Sequence, residues 1–183
     1  MSDLARSCFE AVPRERWAQH PRYPSQTLLL GSHRNFREIS RALVAASVSD
    51  TSPRSPASAA SSLDGRQRLF DQWQSAMRSH EAYEEHKLYP FLRHRFGVET
   101  DSLETGHRTL HVIADELRSA SRDGDDARWA ARIRRYDVVL HEHLRDEEDL
   151  VIPCLLALEP REFVAYYHGT LPQLLADTPA CAC

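Results

Sequence analysis

Two stretches of this chain carry the same donor side chains in the same order. His80-Glu81-Ala82-Tyr83-Glu84-Glu85 runs on to Leu88 and Pro90, and His143-Leu144-Arg145-Asp146-Glu147-Glu148 runs on to Val151 and Pro153. Each reads His, three residues, Glu-Glu, two residues, aliphatic, one residue, Pro. On an α-helix a residue and its fourth successor share a face, so His80 stands beside Glu84 and His143 beside Glu147. An imidazole and a carboxylate side by side are metal donors, and two such pairs brought together make a metal site.

The elements that must present them read as four helices. The first begins at Ser25, a plausible N-cap, with Leu29, His33, Phe36, Ser40 and Leu43 on one stripe. The second runs from Asp64 to Arg95 with Leu69, Trp73, Met77, His80, Glu84, Leu88 and Phe91 in line, leaving His86 well round the helix. Pro90 should kink it or introduce a new turn. Gly97 breaks the chain, Asp101 or Ser102 caps a third helix, and its stripe is Leu103, His107, Leu110, His111, Ala114 and Leu117. A polar turn at 121–126 leads to the fourth, with Trp129, Ile133, Tyr136, Leu140, His143, Glu147 and Leu150 in line and His141 on the solvated side. Pro153 should kink it, and Glu159-Pro160 ends it near Leu158.

The remaining segments read as appendages. Residues 1–24 are an arm rich in Arg, Pro and aromatics, and 47–63 are a flexible loop rich in Ser, Pro and Ala. After the bundle, residues 159–183 form a short amphipathic helix at Phe163–Tyr167 and a tail whose Cys181-Ala-Cys183 end could bind metal or form a redox pair but is rather expected to fray. The formal net charge of -4, with Lys and Arg scattered, gives no nucleic-acid surface. No apolar run reaches a membrane span and no continuous apolar leader opens the chain, so a soluble, cytoplasmic protein is expected. The four cysteines lack the framework of a small secreted scaffold.

Each helix thus carries an inward histidine: His33, His80, His107 with His111, and His143. Glu84 and Glu147 add carboxylates to apolar stripes, which is costly unless they are paired or bound to a cation. A proton-sharing Glu/His network is the metal-free alternative. Mixed imidazole and carboxylate donors suit iron, manganese or zinc, whereas calcium and magnesium favour oxygen shells. Seven donors exceed one tetrahedral zinc. They suit two metals bridged by Glu84 and Glu147, with the histidines terminal and about one position open for dioxygen or peroxide.

His33, His80-x-x-x-Glu84, His107-x-x-x-His111 and His143-x-x-x-Glu147, in that order, resemble the hemerythrin-like (HHE cation-binding) domain over residues 25–158. The resemblance implies an all-α, up-down-up-down four-helix bundle holding two oxo- or hydroxo-bridged iron ions, with manganese less favoured. By motif position it carries ligand roles onto His33, His80, Glu84, His107, His143 and Glu147, with His111 as a ligand or an outer neighbour. Oxygen-carrying members place an Asp five residues after the last-helix His; here Glu147 is four on and Glu148 holds the fifth place. This turns the expectation from oxygen carriage to the His-x-x-x-Glu subgroup, whose roles are peroxide breakdown, iron handling and sensing of oxygen or nitric oxide. The partner is then a small molecule (O2, H2O2 or NO), and the leading function is catalase-like decomposition of peroxide. A non-catalytic module that binds or senses oxygen, nitric oxide or iron is the competing expectation. Tyr83, next to the ligands, could donate a hydrogen bond or a radical, and plain packing is its simpler role.

Overall fold

A computed structural model describes residues 12–22, 27–48 and 62–181. The expected cap at Ser25, most of the Ser/Pro/Ala loop, Cys8 and Cys183 lie outside the described residues. The protein is all-α, a helical bundle with no strand among the described residues. Its helices are α1 (Thr27–Val48), α2 (Leu63–Tyr83), α3 (Tyr89–Phe96), α4 (Asp101–Arg122), α5 (Asp126–Ala157), α6 (Pro160–His168) and α7 (Leu171–Asp177), with a 3-10 turn at Arg14–Gln19 and a π-turn at Glu84–Leu88. They divide into two compact units, one of residues 32–80 and 105–144, the other of 1–31, 81–104 and 145–183.

In the first unit the stripes close over one core. Phe36 and Leu43 of α1, Phe70, Trp73 and Met77 of α2, Leu110, Ile113 and Leu117 of α4, and Trp129, Ile133, Tyr136 and Leu140 of α5 are all buried. Phe70 meets Tyr136 and Trp73 edge-to-face, with centroids 5.2 and 5.7 Å away, the arrangement favoured by aromatic quadrupoles. Leu69, expected on the stripe, is 44% exposed. The buried face of α2 instead runs Arg66, Phe70, Trp73, Met77, so Leu69 falls at its rim. Arg66 is buried, paired with Asp126 and lying over the Trp129 ring. Ser40, on the α1 stripe, satisfies its buried hydroxyl by donating to Asp137 at 2.7 Å. Two caps begin helices here: Ser62 Oγ accepts from the Gly65 N–H, and Asp125 Oδ1 from the Arg128 N–H after Gly124 turns the chain at φ 68.

The second unit has its own core, built by Leu88, Phe91, Leu92 and Phe96 around Val151, Leu155 and Leu158, with Tyr166 and Leu174 of the last two helices. Trp17 packs with Ile152 and Leu156. Pro90 accounts for the π-turn. Its ring lacks an N–H and would crowd the carbonyl four residues back, so the preceding turn widens: the Tyr89 N–H bonds the Glu84 carbonyl, five residues earlier. What sequence presents as one helix from 64 to 95 is therefore α2, a π-turn and α3, with Pro90 in the first turn of α3. Pro153, by contrast, lies inside α5. Gly97 ends α3 in the left-handed region at φ 67. The first helical residue of α4 is Asp101, which moves the cap position to Thr100, whose carbonyl accepts from the Leu103 N–H.

The end of the chain differs from its expectation. Residues beyond Tyr167 form α7, opened by a box in which the Thr170 N–H donates to Gln173 Oε1. Cys181 is tied down: its N–H donates to the His94 carbonyl at 2.9 Å, and its sulfur is in a disulfide.

Candidate metal centre

Glu84 opens the π-turn and Glu147 sits in the second half of α5; both are fully buried. Burial, then the neighbouring Glu84 charge, holds the Glu147 carboxyl well above the ordinary carboxylate range, while the nearby Tyr89 phenol draws it down. Tyr89, itself fully buried, is raised well above the ordinary tyrosine value by burial and then by the Glu147 and Glu84 charges. Two carboxylates this deep and this near each other repel when both are ionised. A shared proton or a cation relieves that repulsion.

The candidate imidazoles come in pairs. His33 Nε2 and His80 Nε2 are 3.0 Å apart, their rings edge-to-face at 5.1 Å, with Phe36 packed against the His80 ring at 5.2 Å. His33 is fully buried and His80 half-buried. On α4 and α5, the buried His107 and His143 place their ring centroids 4.7 Å apart. His111 is half-buried. His86 is exposed, its Nδ1 beside the Ala82 carbonyl. His141, expected to be solvated, is half-buried and stands 3.5 Å from Asp137.

Four of the seven candidate donors converge. His33, His80, Glu84 and Glu147 each offer one ligand atom, and these atoms all lie within 4.8 Å of one another. His107, His111 and His143 are not in that group. Two imidazoles and two carboxylates in a buried cluster fit a transition-metal cation: the carboxylates supply the negative charge that burial otherwise penalises, and the imidazoles favour a borderline metal over calcium or magnesium.

The profile of the family described as hemerythrin HHE cation binding domain matches residues 26–155. The chain belongs to that family. No curated protein and no solved structure matches it. The HHE domain and the His/Glu cluster together make this a metal-cation-binding module.

Two residues of the site were not singled out by sequence reasoning. Tyr89 is the motif's variable residue between Leu88 and Pro90, and its signal is only that a buried tyrosine needs a polar neighbour. Gly106 carried a clearer one. A glycine inside a helix is unfavourable relative to alanine, and this one is followed directly by His107. Tyr83 is 40% exposed and its hydroxyl is hydrogen-bonded to that of Tyr166. This makes it a surface-facing partner of α6.

Proposed function

We propose that this HHE-domain protein binds two iron ions and reacts with peroxide or dioxygen, with catalase-like decomposition of hydrogen peroxide as its activity. The observation that carries the reading is the convergence of His33, His80, Glu84 and Glu147 within 4.8 Å. In this reading Glu84 and Glu147 would supply carboxylate ligands, and His33, His80, His107, His111 and His143 imidazole ligands. Iron bound there would supply reversible one-electron redox chemistry to a small oxidant.

The chain's own groups define what surrounds that chemistry. Phe36 packs against one side of the His80 ring, and the buried Leu88 and Leu144 close to the ligand positions in sequence are apolar. The buried Tyr89 phenol lies near enough to Glu147 to draw its carboxyl down, a polar neighbour of the kind that tunes metal ligands. A majority of imidazole donors favours iron over manganese.

An oxygen electrode tests the reading. Iron-loaded protein should release oxygen from hydrogen peroxide over many turnovers, and His80→Ala should not. A single stoichiometric spectral change without turnover would overturn the enzymatic assignment and leave a binding or sensing module for oxygen, nitric oxide or iron.

A further inference from the structure

We propose that Gly106 is a positioning residue for the metal centre: the missing side chain on α4 opens the space that the His143 imidazole occupies. The inference rests on the reading of His143 as a metal ligand.

Gly106 lies inside α4, where glycine is a poor helix former and needs a reason. A Cβ at this position would fall 2.4 Å from His143 Nδ1 and 3.2 Å from both Cε1 and Cγ of the same ring. Non-bonded heavy atoms settle at about 3.5 Å. Any side chain at 106 would therefore push the ring off by about 1 Å, and no terminal flexibility absorbs that push, because the atoms met belong to the ring itself. Metal–ligand distances tolerate about 0.2 Å. The displaced ring also has a neighbour: His107, the next residue on α4, holds its centroid 4.7 Å from that of His143. One missing methyl group thus sets the place of His143 and its spacing from His107.

Another helical glycine shows what an unconstrained position looks like. Gly31 in α1 would meet nothing within 4 Å. Alanine there should improve the helix and leave the metal unaffected, so it serves as the control.

The test compares wild type, Gly106→Ala and Gly31→Ala for iron per chain after anaerobic loading, for optical spectrum, and for melting without metal. Gly106→Ala should lose about 10-fold or more in iron affinity, the scale on which outer partners act, with an altered spectrum. Gly31→Ala should match wild type. Equal iron affinity and spectrum in Gly106→Ala and wild type would overturn the proposal. If Gly106→Ala melts early without metal, His143→Ala added to it should remove that defect by vacating the space. A defect that persists in the double variant would show that the ring is not what the methyl meets, and the proposal falls. Should wild type bind no iron, the ligand reading falls instead, and the double-variant melts still report the clash.

Discussion

Glu147→Gln should stabilise the protein without metal and remove its response to metal. The two carboxylates are fully buried, and their ligand oxygens lie within 4.8 Å of each other. With both ionised, that separation at an effective dielectric of about 20 gives a repulsion of about 3.5 kcal/mol. Protonating one instead costs about 1.4 kcal/mol for every pH unit above its ordinary value, which at about pH 8 is no cheaper. Because burial and Glu84 raise the Glu147 carboxyl, the folded protein holds a proton that the unfolded chain releases. That contribution is fully present below the ordinary carboxyl value and is lost as pH rises through the raised one. Metal-free wild type should therefore be more stable at about pH 5.5 than at about pH 8 on this account, and the variant should lack this slope. At about pH 8 the variant should melt higher by as much as roughly 7–14 °C. With free metal about 100-fold above its dissociation constant, wild type gains about 2.7 kcal/mol and the variant nothing. Circular-dichroism melts with and without metal read both halves. Coincident melting of the two metal-free proteins at about pH 8 would refute the side-by-side burial of the carboxylates.

Further expectations concern the scaffold. Phe70→Ala, which empties a fully buried ring site between Trp73 and Tyr136, should cost about 3–5 kcal/mol in urea melts. Leu69→Ala, at the exposed rim, should stay within about 0.5 kcal/mol, and equal losses would show that the α2 stripe is misregistered. Cys154 is fully buried and burial pushes its thiol well up, so iodoacetamide at about pH 8 should label it only after denaturation. A mass-mapped adduct on the native protein would contradict that burial.

The donors were legible because helical periodicity is a property of neighbouring residues. His80 with Glu84 and His143 with Glu147 follow from a four-residue spacing alone, and the stripes through Trp73, Met77, Leu110 and Leu140 follow in the same way. Which of the donors meet is a tertiary fact. The sequence could not tell that His33, His80, Glu84 and Glu147 form one group while His107 and His143 face each other. The π-turn escaped for a different reason. Pro90 announces a disturbance, and only the packing of Glu84, Leu88 and Tyr89 decides between a kink and a wider turn. Leu69 was misplaced because one face of a helix spans more than a single 3.6-residue line, so a rim leucine and a core phenylalanine are adjacent in sequence. At the C-terminal end, the Thr170 box of α7 was readable in principle. The tie between Cys181 and the His94 carbonyl joins residues distant in sequence and was not.

The central claim is that the His/Glu cluster of this HHE domain holds iron. Elemental analysis with an optical spectrum of aerobically purified protein measures it directly. The account predicts about two irons per chain with near-ultraviolet ligand-to-iron charge-transfer bands, both lost in His80→Ala. Zinc alone, or no metal even after anaerobic loading with ferrous iron, would contradict it.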